Sequence, residues 1–347
     1  MGIKVNEEKK IFQLNTPNTT YLMGVARDQY LGHMYYGKKM DDCNGLYLLR
    51  MPEGKDAEHA LVKDKIGLMD RFSFEYPVWG TGDFRDTCLQ VRSESGHRVC
   101  ELTYEGYEII DGKPAIANMP ATFEGKASGG KAQTLVITLA DRLLGLKILL
   151  RYSTFEDSDV IARSVVAVNS GSQKLYLEKI LSACLDMDDE GFDLITLHGT
   201  WARERHIASR RVTLGKHIVS SLRGETSHQV QPFMALTTAG TSQKEGEVYA
   251  MNFVYSGNFI AETELDHQDG IRMSLGMHPD TFEWVLNPGE QFETPEAVMT
   301  YSDKGLGAMT RSFHNLYRNH LIRSKYLHTK RPILVNNWEA TYFDFDD

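Results

Sequence analysis

The stretch TLVITLADRLLGLKILL, Thr134 to Leu150, decides the fold. Leu135, Ile137 and Leu139 share one face while Thr134, Val136 and Thr138 share the other, the period of a half-buried β-strand. Leu144, Leu146, Ile148 and Leu150 repeat the pattern directly afterwards. Ser164 to Val168 runs into the turn-rich Asn169, Ser170, Gly171 and Ser172, and Leu175 to Leu181 follows, which predicts a hairpin. Glu247 to Tyr255 and Thr281 to Leu286 are strand-like too, the latter closed by Asn287, Pro288 and Gly289. Short antiparallel strands joined by tight turns predict an all-β chain, a large sandwich rather than alternating helices and strands.

The pattern changes once, after Tyr301. Leu306, Met309, Phe313, Leu316, Tyr317 and Leu321 fall near helical spacing, with Ser302 or Asp303 placed to cap the start and an end expected near Tyr326. That apolar stripe is expected to pack on a core. The final segment RPILVNNWEATYFDFDD, Arg331 to Asp347, opens with Pro332 and the continuous apolar run Ile333, Leu334 and Val335, as in a parallel strand buried on both faces. No residues follow for its parallel neighbours, so the expectation is a chain cut at the start of a further domain.

Composition bounds the function classes. The 347 residues are 41% hydrophobic and 24% charged, enough to bury a large core. A net charge of -9 argues against a nucleic-acid partner, because phosphate binding is driven by clustered Lys and Arg. The basic residues Arg203, Arg205, Arg210 and Arg211 are interrupted by Glu204, Ile207 and Ala208 and suit surface or inter-subunit ion pairs. Cys43, Cys88, Cys100 and Cys184 are widely spaced and form neither a disulfide framework nor a zinc pattern. MGIKVNEEKKIFQL lacks a signal peptide's apolar stretch and no long apolar run suits a bilayer, so no membrane association and a cytoplasmic protein are expected.

Asn336 to Phe345, NNWEATYFDF, resembles the opening of the catalytic barrel in glycoside hydrolase family 36, the bacterial α-galactosidases. Further phrases resembling the family occur in order: EYPVWGTGDFR (Glu75 to Arg85), GTWARER (Gly199 to Arg205), RGETSHQVQPF (Arg223 to Phe233), VYSGNF (Val254 to Phe259) and YSDKGL (Tyr301 to Leu306). The resemblance implies a large antiparallel β-supersandwich over 1–301, a C-terminal linker helix over 302–330, and the truncated start of a (β/α)8 barrel over 331–347. It also implies a retaining mechanism in which two carboxyl groups roughly 5 to 5.5 Å apart act across the glycosidic bond. Both are aspartates on later barrel strands, so no catalytic residue, cofactor or metal is expected in this chain. Its expected role is that of a non-catalytic amino-terminal domain contributing to assembly and to the pocket for α-galactosides of the raffinose type, in a parent that is a homo-oligomer, commonly a tetramer.

The resemblance carries two substrate-binding candidates, Trp338 at the end of the expected first barrel strand and Trp201 in GTWARER. An aromatic face packs well against the C–H face of a pyranose, whereas composition alone makes Trp201 a core or interface residue. Family members also send an acidic residue from a loop after a YWGK-like stretch toward a neighbouring active site. Counting from Tyr35–Lys39 reaches Glu53, although the local wording RMPEGKD departs from the pattern. Glu339, Asp344, Asp346 and Asp347 share one short segment and cannot flank a sugar from opposite sides. Asp186, Asp188, Asp189 and Glu190 lack the calcium-loop pattern and read as a charged loop. Arg85 and His228 are expected to act structurally, and Gly80, Thr81 and Gly82 do not begin a dinucleotide fingerprint. Two alternatives remain: a stand-alone carbohydrate-binding or assembly module, and an aldose-epimerase-like enzyme, which would need a His and a carboxylate converging on one sheet face.

Overall fold

Alternation becomes architecture through three sheets whose ladders are all antiparallel. They are seen in a computed structural model that describes residues 2–27, 29–41, 45–49, 69–125 and 131–346. The first sheet runs in order through β1 (Gly2–Asn6), β2 (Ile11–Asn15), β3 (Thr19–Ala26) and β4 (Tyr30–Lys38). The second, six-stranded, follows the order β13 (Gly215–Ser221), β16 (Phe259–Leu265), β17 (Gly270–Met277), β10 (Leu175–Asp188) and β18 (Trp284–Leu286), with β5 (Leu89–Ser93) also on β10. The ten-stranded sheet begins with β12 (Arg203–Arg211), β11 (Asp193–Thr200), β14 (Val230–Thr237) and β15 (Val248–Val254). It continues through β20 (Glu296–Ser302), β9 (Ser158–Asn169), β8 (Leu146–Phe155), β7 (Ala132–Asp141) and β6 (Thr103–Asp111), with β19 (Gln291–Glu293) on β9.

Leu135, Ile137 and Leu139 of β7 and Leu146, Ile148 and Leu150 of β8 point into the main core, where they join Phe12 and Met23 of the first sheet and Phe259, Met273 and Leu275 of the second. Each fully buried side chain of this kind contributes roughly 1.5 to 3 kcal/mol. The other face of β7 is not solvated as predicted. Thr134 and Val136 are buried, and the Thr134 hydroxyl hydrogen-bonds Gly112 O at 2.9 Å and lies 2.7 Å from the Ser153 hydroxyl.

The expected hairpin across Asn169–Ser172 is not formed. β9 pairs with β8, β19 and β20, whereas β10 pairs with β5, β17 and β18, so this turn carries the chain from one sheet to another. Asn169 fixes that crossing, its amide nitrogen donating to Gln173 O at 2.7 Å and to Leu286 O at 2.8 Å. A turn signal specifies reversal, not pairing, and the hairpins of this region are β7–β8 and β8–β9.

α1 (Gly305–Leu316) continues as a π-helical turn over Tyr317–Leu321 and stops at Ile322, short of Tyr326. Its stripe packs as expected: Met309, Phe313 and Leu316 lie against Ala162, Ala235, Ala250 and Val298 on the outer face of the ten-stranded sheet. The cap differs. Lys304 occupies the N-cap without a side-chain bond, while Ser302 Oγ accepts the Lys304 N–H at 3.1 Å, two residues too early to cap the helix. Beyond it, Ile333, Leu334 and Val335 are 98%, 87% and 81% exposed and join no ladder among the described residues.

Candidate functional site

The GTWARER phrase is the tip of the β11–β12 hairpin. Thr200 pairs with Arg203 across it, leaving Trp201 and Ala202 as the turn, with Ala202 in the left-handed region at φ 61°. Gly199 sits at the register shift between His198 and Thr200 and donates its N–H to Gln229 O at 3.0 Å. A Cβ there would lie 2.3 Å from Arg203 O and 2.7 Å from His228 O, so only glycine admits this close approach. Thr200 Oγ1 donates to Trp201 O and accepts from Arg203 Nε, both at 3.3 Å. These constraints hold the Trp201 ring outward, 82% exposed. It is no core tryptophan, and its indole presents a flat apolar face and an N–H donor to solvent, which suits stacking on a sugar.

Around the tip, His198 Nε2 lies 2.7 Å from Thr196 Oγ1, and burial, with Arg210 adding, lowers the ring's pKa and keeps it neutral near pH 7. Arg203, Arg205 and Arg210 line the exposed β12 edge, and Arg211 pairs with Asp193 at 3.1 Å. His228 contributes its backbone carbonyl to the packing on Gly199, and its side chain is exposed.

Trp338 lies elsewhere in the chain's order and conformation. It begins a short helical turn, α2 (Trp338–Thr341), instead of ending a strand. Its half-exposed ring packs on Tyr342 and Phe343 with centroids 5.2 and 5.1 Å away. Among the described residues no ring contact joins it to Trp201. Glu339, Asp344 and Asp346 are exposed on this segment, and Glu53 falls outside the described residues.

The phrase EYPVWGTGDFR supplies buried charge. Glu75 Oε1 accepts from the Tyr21 and Tyr152 hydroxyls, each at 2.7 Å, and from Arg163 at 2.9 Å. Burial pushes the Glu75 carboxyl up, but Arg163 and then His33 hold it below the usual range. Arg85 is structural as expected, donating to Asp83 at 2.9 Å and to Phe72 O at 2.7 Å. Asp186 corrects the charged-loop reading: it is buried at the end of β10 and takes two bonds of 2.7 Å from Arg272, which also reaches Asp83 at 2.8 Å. Asp189 instead caps the following turn through Gly191 N–H at 3.0 Å. No group of His, Cys, Asp and Glu able to hold a metal occurs among the described residues.

Sequence reasoning missed one polar group. Lys179, only 3% exposed, donates to Asp86 and Glu262, each at 3.1 Å, and Lys216 reaches Asp86 at 3.0 Å. Its one signal was a buried-strand run, LYLEKILSACL of β10, interrupted by the charged pair Glu178 and Lys179.

This mixture of exposed hairpin tryptophan, sheet-on-sheet core and appended helix defines the class. The family model described as glycosyl hydrolase family 36 N-terminal domain matches residues 29–287, and the Melibiase model matches 291–347. The chain belongs to glycosyl hydrolase family 36. It is 40% identical to the alpha-galactosidase AgaA of Geobacillus stearothermophilus over 347 residues, all of this chain and 47% of that protein. The alpha-galactosidase of Lactobacillus brevis superposes with a TM-score of 0.92 at 38% identity, covering 99% of this chain and 46% of that one. The galactosidase domain of the alpha-galactosidase-sucrose kinase AgaSK gives 0.91 at 39% identity, with coverage of 99% and 48%. The chain thus spans about half the length of relatives such as AgaA, and corresponds to their amino-terminal region.

Proposed function

We propose that these residues form the non-catalytic amino-terminal part of a retaining α-galactosidase that hydrolyses terminal α-galactosyl groups of raffinose-type oligosaccharides. The carrying observation is the end-to-end likeness to alpha-galactosidases at 40% identity. Doubly substituted variants of AgaA have been crystallised in complex with raffinose and with stachyose, which supports that substrate class. On this reading the two catalytic carboxyl groups come from the half of the relatives that the chain does not match. Trp201, projected by its constrained hairpin, forms one wall of the sugar pocket, and Trp338 another. The proposal keeps the division into 1–301, 302–330 and 331–347. The Melibiase match begins earlier, at residue 291, because the last sandwich strands and α1 belong to the stretch that model describes.

The proposal extends to a homo-oligomer, tetrameric in the parent, for which exposed Trp201, Ile207 and Ile218 offer apolar contact surface. The cytoplasm is its proposed compartment, which suits the buried thiols of Cys88, Cys100 and Cys184.

The test has two arms. The purified chain should release no aryl leaving group from an aryl α-galactoside above background, and turnover abolished by a substitution within it would reject the non-catalytic role. Grafted in place of the equivalent half of AgaA, the chain carrying Trp201→Ala should lose about three- to tenfold in kcat/KM with its thermal transition unmoved. Unchanged kinetics in a folded, active chimera would remove Trp201 from the pocket.

A further inference from the structure

The six-stranded sheet turns Val219, Phe259, Ala261, Met273 and Leu275 toward the core. Its opposite face is polar. One part of that face is closed, where Arg272, Asp186, Asp83 and Arg85 satisfy one another in a buried network. Beside it the same face opens into a cleft of about 540 Å³, whose lining includes Asp86, Lys179, Glu262, His278 and Phe282. That is within the size range of small-molecule sites, roughly 300 to 1,000 Å³.

Unlike the closed network, this group keeps unspent hydrogen-bonding capacity. Asp86 and Glu262 take two of the three N–H donors of the Lys179 ammonium, which leaves one. His278 is 6% exposed, and its Nδ1 accepts the Asp280 N–H at 3.2 Å. Burial first, and then Lys179, lower its pKa against the pull of Asp280, so the ring is neutral and Nε2 carries the proton as a free donor. Burial pushes Glu262 up to about 7, Lys179 opposing and Asp86 adding through its charge and a side-chain hydrogen bond, so near neutrality the Glu262 proton is directed at Asp86. Burial acts the same way on Asp86, but Lys179 and Lys216 hold it well below the usual range and it stays an acceptor. Phe282, Ile260 and Pro279 add apolar wall.

Hydroxyl groups, each both donor and acceptor, match this mixture. The charges along the lining nearly balance, because Asp86, Glu262 and Asp280 face the ammonium groups of Lys179 and Lys216 while Glu178 is paired with Arg92 and Arg98, so no excess of either sign selects an ion. A cation would meet the Lys179 ammonium at the centre. We propose that this cleft binds a neutral polyhydroxylated ligand, a free pyranose, through Lys179, Glu262, Asp86 and His278. The site is independent of the α-galactosidase reading and of Trp201.

Titration of the 347-residue chain with D-galactose and D-glucose, followed by NMR or calorimetry, tests it, with inorganic phosphate as the anionic probe. Saturable binding in the millimolar range is expected, weakened at least about tenfold by His278→Ala and by Glu262→Ala and unchanged by Leu143→Ala, at a fully exposed position outside the cleft. If Glu262→Ala does not fold, Lys216→Ala at the half-exposed rim replaces it, with circular dichroism and the thermal midpoint confirming the fold. The proposal fails if neither sugar gives a saturable response, if phosphate binds in preference, or if binding survives the folded cleft variants. Loss of binding in Trp201→Ala alone would place the sugar at the hairpin and overturn it equally.

Discussion

Removing the Glu75 carboxylate should be the most costly single change in the sandwich. Glu75 is 1% exposed, and it is the carboxylate partner of the Arg163 guanidinium, 2.9 Å away at the centre of the main core. In Glu75→Ala, Arg163 keeps its bonds to Cys184 O and to the Tyr152 hydroxyl at 3.1 Å, but its positive charge stays buried without a counter-charge. Breaking a buried pair this way costs about 3 to 5 kcal/mol, against a typical domain stability of about 5 to 15 kcal/mol. The Tyr21 and Tyr152 hydroxyls also lose their acceptor, which places the expected cost toward the upper end. Urea unfolding reads this as a lower midpoint at unchanged slope. Removing both charges in Glu75→Leu with Arg163→Met should recover most of the loss, because the desolvation penalty leaves with the pair. A cost below about 1 kcal/mol for Glu75→Ala, or a double variant as poor as the sum of the singles, would refute the reasoning. Acid gives an independent check. Since Glu75 is held below its ordinary pKa in the fold, its contribution is complete above the unfolded value near ~4.3 and fades only as pH falls from there through the lower folded value.

Glu262 has the opposite sign. Its raised pKa, about 7, means that the folded state binds the extra proton, so stability should decline as pH rises from about 4.3 to about 7 and then level off. Denaturant midpoints of Glu262→Gln should lack that slope, at most about 1.4 kcal/mol per pH unit, and an identical slope in the variant would contradict the assignment. Gly199→Ala should loosen the β11–β12 tip, because the added Cβ meets Arg203 O at 2.3 Å. Faster amide exchange confined to these strands is the expected readout, and exchange matching the parent would be the contrary result. Trp201→Ala in the chain alone should cost less than about 1 kcal/mol, the ring being 82% exposed, whereas a core tryptophan would cost about 3 to 5; urea unfolding separates the two.

Much of the fold was legible because burial imposes a period. The alternation in 134–150 became β7 and β8, and the stripe from Leu306 to Leu321 became the buried face of α1 and its π-helical extension. What local pattern could not supply was pairing. The Asn169–Ser172 turn looks like a hairpin loop, yet it leads from the ten-stranded to the six-stranded sheet, a choice made by bonds from Asn169 to residues as distant as Leu286. Ile333–Val335 shows the converse: strong strand propensity alone yields no strand, since a strand's donors and acceptors are satisfied only across a ladder.

The candidate site was legible for a different reason, and less evenly. EYPVWGTGDFR and GTWARER carried the resemblance to the family equally well, but the structure divides them by exposure. The first delivers Glu75, Asp83 and Arg85 to buried charge networks, where a substitution is felt as instability. The second spends a close-packed glycine and a left-handed alanine on holding one indole in solvent, where a substitution leaves the fold intact and is felt only by whatever the ring touches. Wording alone cannot tell these apart, because both require particular residues at fixed spacing. The cleft around Lys179 carried no such wording: its members come from segments as far apart as Asp86 and His278, and only the six-stranded sheet's topology brings them together. A site assembled across strands in this way is visible in sequence as isolated anomalies, such as a charged pair within a mostly apolar strand, and its chemistry emerges only when the register sets Lys179 between two carboxylates.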